Sequence, residues 1–313
     1  MQLQTKISLS KTEAQIDYGS RTLLLGSCFA ENIGDKLAYY KFQGTQNPFG
    51  ILFHPLAIEN LVSRAVRRQP YVDDEVFFLN ERWQCFDAHS SLSVASKDGL
   101  LQNLNAGLDT ALSHIRKASH IIITLGTAWA YRNKKSDRLV ANCHKVPQNE
   151  FTKELISVAS IRESIQNILD LVRSVNPNAH FVFTVSPVRH LKDGFVENQR
   201  SKAHLLTGVH SLIGVKMFYF PAYEIMMDEL RDYRFYDRDM VHPNPLAIDY
   251  IWEKFKYVWI SERAYPVIER VEEVQKGLIH RPFAPDSDRY RQFLGKQQQK
   301  IGDLLREYPF MKF

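Results

Sequence analysis

Three short apolar runs constrain this chain more than any other feature: Leu23-Leu24-Leu25, Ile121-Ile122-Ile123-Thr124-Leu125 and Phe181-Val182-Phe183-Thr184-Val185. Each ends at a small or turn-forming pair, Gly26-Ser27, Gly126-Thr127 and Ser186-Pro187. Successive side chains of a strand point to opposite faces, so a run without polar alternation belongs to a sheet covered on both sides. Helix-period stretches separate these runs. Phe29, Ile33, Leu37 and Tyr40 form one, Ile58, Leu61, Val62 and Ala65 a second, Leu101, Leu104, Leu108, Leu112 and Ile115 a third, and Ile161, Ile165, Ile168, Leu169 and Val172 a fourth. Strand and helix in alternation predict a doubly wound α/β fold with a mainly parallel sheet. Ligands of such sheets bind at the carboxyl ends of the strands, where Ser27, Gly126 and Ser186 all fall.

The remaining chain decorates this frame. Residues 46–56 hold two prolines and Gly50, which marks a shaped loop whose glycine can present a bare backbone N–H. Residues 76–79 and 83–86 flank Asn80-Glu81-Arg82 and read as a hairpin, inserted at about 71–93 and suited to a lid or substrate wall that includes Trp83. After Thr127 a polar loop is expected to reach Val140. Ser160-x-x-Glu163 resembles a capping box, residues 215–220 a strand, and Pro245 to about Trp259 a helix. The α/β domain is expected over residues 1–260. Residues 261–313 turn helical and polar, as an appendage or an oligomerisation arm, so a homo-oligomer is one expected state.

Composition excludes several classes. With 44% apolar and 24% charged residues the chain is ordinary for a globular protein, and a net charge of +5 over 313 residues is no footprint for nucleic acid. No apolar run approaches the length of a membrane span. Cys28, Cys85 and Cys143 are far apart and odd in number, which favours a reducing compartment and a cytoplasmic location.

Two stretches carry chemistry. Ser27, between a strand end and a helix start, is the candidate nucleophile, because the helix N-terminus favours negative charge beside it. Asp239-x-x-His242, in a loop closed by Pro243, is the candidate base: His242 takes a proton and Asp239 orients its ring. Cys28 beside Ser27 is a rival nucleophile, although a cysteine at a helix start is more often core packing. Asp87, His89, Cys143 and His144 lack compact metal-ligand spacing, and His89 and His144 are better placed as pocket walls. Arg189, His190, Asn198 and Lys202 share one polar segment suited to an anionic or carbohydrate group. No metal or cofactor is expected.

A serine at the end of the first strand and Asp-x-x-His before the last helix of the domain is the arrangement of SGNH/GDSL hydrolases. More closely, Gly26-Ser27-Cys28-Phe29-Ala30 resembles the signature of the GSCFA family. Asn47-Pro48-Phe49-Gly50, Thr124-Leu125-Gly126-Thr127-Ala128-Trp129, the stretch Ala141-Asn142-Cys143-His144-Lys145-Val146-Pro147, residues 184–190 and Asp239-Met240-Val241-His242-Pro243 resemble that family's blocks in order. The resemblance covers roughly residues 20–260. It implies a flavodoxin-like three-layer fold and a serine esterase cleaving O-acyl groups through an acyl-enzyme, with Ser27, Asp239 and His242 as triad. The oxyanion hole it implies uses the Ser27 N–H and Gly50. Ala128 stands where the superfamily's asparagine aligns, so Asn142 reaches in, Thr127 substitutes, or the third donor is missing. Asn47 belongs to the substrate-contacting loop. The implied partner is a small-molecule or glycan ester. An acyltransferase with the same triad and a non-catalytic glycan-binding module are the alternatives.

Overall fold

The computed structural model describes residues 4–313. In chain order the first half runs β1 (Arg21–Gly26), α1 (Cys28–Tyr39), β2 (Gln43–Gln46), α2 (Pro55–Arg67), β3 (Phe77–Leu79), β4 (Arg82–Gln84), α3 (Lys97–Lys117), β5 (His120–Leu125), β6 (Trp129–Asn133), β7 (Arg138–Val140) and β8 (Phe151–Leu155). The second half runs α4 (Val158–Val175), β9 (His180–Val185), α5 (Phe195–His210), β10 (Met217–Tyr219), the single turn α6 (Ala222–Glu224), α7 (Pro245–Trp259), α8 (Tyr265–Leu278) and α9 (Asp288–Glu307).

The central sheet has the order β10-β9-β5-β1-β2, and every pairing in it is parallel. This is the doubly wound α/β fold that the apolar runs predict. The reason is visible residue by residue. Leu23 and Leu25 of β1, Ile121, Ile123 and Leu125 of β5, and Phe181, Phe183 and Val185 of β9 join one core with α2, α3 and α4. Leu24, Ile122 and Val182 point the other way, into a second core with α1 and α7. Both faces are covered, so the middle of each of these three strands reads as a continuous apolar run, with buried Thr124 and Thr184 near the carboxyl ends. The C-terminal helices add Val271, Val274 and Leu304 to this second core, with Met311 beyond them.

Several elements depart from the pattern expected. β2 falls in a stretch without apolar signature, Gln43-Gly44-Thr45-Gln46, and forms an edge strand on β1 alone. The stretch 127–140, expected as a loop, opens a separate antiparallel sheet of order β7-β6-β8. The hairpin exists, as β3 and β4, and turns tightly at Asn80 and Glu81, both with positive φ of 51° and 59°. Helix α4 starts a turn earlier than the capping-box reading: Ser157 Oγ accepts the Ser160 N–H at 3.1 Å.

Where β1 leaves the sheet, Gly26 has φ +130°, and a Cβ there would lie 2.0 Å from the Thr124 carbonyl oxygen. Only glycine lets the chain turn this close to β5, and the turn delivers residues 27 and 28 to the carboxyl end of the sheet.

Candidate active site

A cleft of about 720 Å³ opens at the carboxyl ends of β1, β5 and β9. Its floor and one wall come from Cys28 at the start of α1, Phe53, Thr127 and Trp129. Tyr131, Val140, Asn142 and Cys143, from the second sheet and its following loop, build another wall. Val188, Arg189, His190, Lys192 and Asp193 follow β9, and Asp239, Val241 and His242 close the rim.

The rim loop is built by its own hydrogen bonds. The Asp237 N–H donates to the His242 carbonyl at 2.7 Å, and Met240 takes φ +59° to complete the turn. Inside it, Asp239 Oδ1 accepts the N–H of Val241 at 2.8 Å and of His242 at 3.0 Å. Asp239 Oδ2 meets His242 Nδ1 at 2.6 Å. The His242 N–H and ring, with the Val241 N–H, hold the Asp239 carboxyl down to about 2, so it stays ionised. Asp239 does not cap α7, since Asn244 does that, accepting the Ala247 N–H at 3.0 Å. An ionised carboxylate on Nδ1 fixes the tautomer and leaves Nε2 as the basic nitrogen. Both side chains are about half exposed.

Arg189 anchors this loop from the β9 side. Its N–H donates to the Val241 carbonyl at 3.1 Å, its guanidinium donates to the Met240 carbonyl, and it lies 4.2 Å from the Tyr236 ring centre. Arg189→Gln removes the fork and the stacking while the backbone bond stays. For a reaction that uses His242 as its base, the expected result is about tenfold lower kcat with little change in KM, because the ring is misplaced. Steady-state kinetics of the variant check this, and an unchanged kcat would remove Arg189 from any positioning role.

His190 stands beside it. Its N–H donates to Asn198 Oδ1 at 3.0 Å and its ring meets Phe53 edge to face. Nε2 is buried and unpaired among the described residues. Burial, then the charges of Lys202 and His242, push the ring down to about 3, so it is neutral near pH 7. Lys202 lies beneath, 1% exposed, with Nζ donating to the carbonyls of Gly126 and Ser186, both at 2.7 Å. It ties β5 to β9 at their carboxyl ends.

The expected nucleophile and oxyanion residues are distributed differently from the sequence reading. Ser27 is fully buried, is absent from the cleft wall, and its Oγ has no partner among the described residues. Its N–H is already donated to the Thr124 carbonyl at 3.0 Å. Gly50 is also off the wall, because its N–H turns inward to the Asn47 carbonyl at 2.8 Å. Asn47 braces the site rather than lining it: Oδ1 accepts the Gly26 N–H and Nδ2 donates to Glu31. Trp83 packs on Phe78 in the hairpin, His89 pairs with Ser91, and buried His144 contacts the Cys85 carbonyl. None of these three reaches the cleft, so the hairpin is not its wall. Asn198 and Lys202 support it from below. Thr127 and Asn142 do line it. Thr127 Oγ1 is shared with Ser201 and accepts the Trp129 N–H. Asn142 Oδ1 accepts the His144 N–H at 2.8 Å, which leaves its NH₂ uncommitted among the described residues.

The wall residues that sequence reasoning missed include Phe53, Trp129, Tyr131, Lys192 and Asp193, whereas Cys28, the rival nucleophile, and Cys143, weighed only as a metal ligand, also line the cleft. Asp193 pairs with Lys153, whose ammonium lies 4.6 Å from the Trp129 ring centre. The only local signal was position, since Trp129 follows the β5 strand end and Lys192-Asp193 the β9 end.

No curated protein matches the sequence significantly. Among solved structures, the chain is similar to an acetyl esterase mutant with acetate ion, at 10% identity and TM-score 0.36, covering 82% of this chain and 99% of that one. It is similar to a carbohydrate esterase family 3 protein from Talaromyces cellulolyticus, at 12% identity and TM-score 0.31, covering 81% and 99%. A third is an acetyl xylan esterase from the rumen bacterium Butyrivibrio proteoclasticus, at 12% identity and TM-score 0.33, covering 77% and 64%. The family model described as "GSCFA domain protein, C-terminal domain" matches residues 271–313. The model described as "GSCFA family" matches residues 21–255, from β1 through most of α7, and the chain belongs to the GSCFA family.

Proposed function

We propose that this protein cleaves O-acyl esters, such as O-acetyl groups on a carbohydrate-type alcohol, at the cleft above β1, β5 and β9. The observation that carries the reading is the Asp239–His242 pair, 2.6 Å apart on the rim of the same cleft that receives the first turn of α1. In this reading a side chain of the Gly26-Ser27-Cys28 turn attacks the ester carbonyl and His242 Nε2 accepts its proton. The imidazolium then protonates the leaving alcohol, and the same ring activates water to release the acid. The amide of Asn142 is the donor best placed to receive the developing oxyanion. Trp129 and Tyr131 offer aromatic faces to a sugar ring, with Asp193, Lys192 and Gln148 as polar contacts around them. An alcohol in place of water would make the same site an acyltransferase. The three cysteines are all free thiols, which suits a reducing, cytoplasmic setting.

The test is release of acetate from 4-nitrophenyl acetate and from an O-acetylated monosaccharide by the purified protein, with a sugar alcohol added in a parallel reaction. Free acetate supports hydrolysis, and a newly acylated alcohol supports transfer. A folded protein that binds the acetylated sugar and turns over neither ester would overturn the reading in favour of a binding module.

A further inference from the structure

We propose that Cys28, not Ser27, is the nucleophile of this cleft, so that the acyl-enzyme is a thioester; this rests on the ester-cleaving reading of the site. The two residues are neighbours at a helix start. Ser27 is the extended residue before α1, with ψ 172°, and Cys28 is the first residue of the helix, so the two side chains leave the chain in different directions. Cys28 lines it together with Asp239 and His242. Ser27 faces inward with no exposure, its Cβ pressed toward Gly126, where an added Cβ would lie 3.2 Å from it.

The surroundings of the thiol suit a nucleophile. Cys28 is the first residue of α1, where the helix dipole and the N–H groups of Cys28 and Phe29 favour a thiolate. The buried Lys202 ammonium acts on it from below. Against these, burial and Glu31 hold the thiol above its ordinary value, so at rest it is protonated. That combination calls for a base at the moment of attack, and His242 lines the same cleft.

The steps balance. His242 Nε2 takes the Sγ proton as sulfur bonds to the carbonyl carbon, and the carbonyl π pair moves to oxygen. Collapse of the tetrahedral adduct breaks the ester C–O bond, and the leaving alkoxide takes the proton from the imidazolium. Water, deprotonated by His242, then attacks the thioester, and the C–S bond breaks to return the thiol and release the carboxylic acid.

Two measurements on the full chain test this. In the first, the parent is mixed with 4-nitrophenyl acetate, quenched in acid, and the acetyl mass mapped by peptide. An adduct on Cys28 that neutral hydroxylamine removes is expected. Cys28→Ala is expected to lose the adduct and at least 100-fold in turnover, while Ser27→Ala keeps turnover within a few-fold. An adduct on Ser27, or a Cys28→Ala variant within tenfold of the parent, overturns the proposal. The second measurement needs no ester. Cys28 is expected to react with iodoacetamide at least tenfold faster than Cys143, and His242→Ala to abolish the difference. If the parent cleaves no ester yet shows this rate difference, the ester reading fails and the activated thiol stands. If Cys28 reacts no faster than Cys143, the proposal fails even in an active esterase.

Discussion

Alanine at His242 is expected to lower kcat for ester cleavage by about 10²–10⁴ at pH 7 and to leave KM within a few-fold. The large effect follows from the state of the nucleophile. A thiol held protonated by burial at Cys28 needs a proton acceptor in the transition state, and the ring fixed by Asp239 lines the same cleft. The small effect on KM follows from position, because His242 sits on the edge of the cleft, about half exposed, and contributes little wall. Half exposure also means that the substitution leaves a solvated gap and no buried cavity. Thermal unfolding of the variant should therefore match the parent within about 0.5 kcal/mol. Kinetics and unfolding measured on the same preparation separate the two effects. A variant within a few-fold of the parent in kcat would remove His242 from the chemistry.

Methionine at Lys202 is expected to destabilise the fold by roughly 2–5 kcal/mol at pH 9, because two buried carbonyls, of Gly126 and Ser186, lose their donor together. The length and apolar character of methionine fill the same space, so the loss reports the hydrogen bonds more than a cavity. The difference should also depend on pH, and its sign follows from the direction of the shift. Burial lowers Lys202 from 10.5 to about 7 in the folded protein. Below about pH 7 both folded and unfolded chains bind the proton, and the folded state carries the full penalty of a buried charge. Between about 7 and 10.5 the unfolded chain binds more protons, so the parent becomes more stable as pH rises. Methionine cannot titrate, so this contribution to the slope is absent in the variant. The gap between parent and variant should widen from pH 7 to pH 9, as read by urea midpoints. A variant as stable as the parent at pH 9 would mean that the two carbonyls find other donors. The same substitution removes a positive charge beneath the sulfur and should slow alkylation of Cys28.

The apolar runs of β1, β5 and β9 were enough to specify a parallel sheet covered on both faces, because their alternate residues divide between two largely apolar cores. The limits of α7 were legible from Pro245 at its start, and Asp239-x-x-His242 was legible because both side chains belong to one short loop whose hydrogen bonds are local. Other features carried no comparable local signal. β2 is polar and is a strand only because β1 offers an unpaired edge. The β6–β7–β8 sheet lies in a stretch whose alternation is broken by charged turns, so its role as a cleft wall is a matter of tertiary placement. Gly50 has the expected residue type and the expected loop, yet its N–H turns to Asn47, a choice set by how residues 47–50 close on themselves. Lys202 reads as one of a polar segment's binding residues until α5 docks over the ends of β5 and β9 and buries it on the Gly126 and Ser186 carbonyls. The sequence by itself determined the three central strands of the sheet, the strand-to-helix turn at Gly26 and the pairing of His242 with Asp239. Only the tertiary structure decided which of Ser27 and Cys28 lines the cleft. Ser27 is the extended residue before the helix and Cys28 its first residue, so their side chains diverge, and which of them lines the cleft is set by how α1 packs against β1 and the second core.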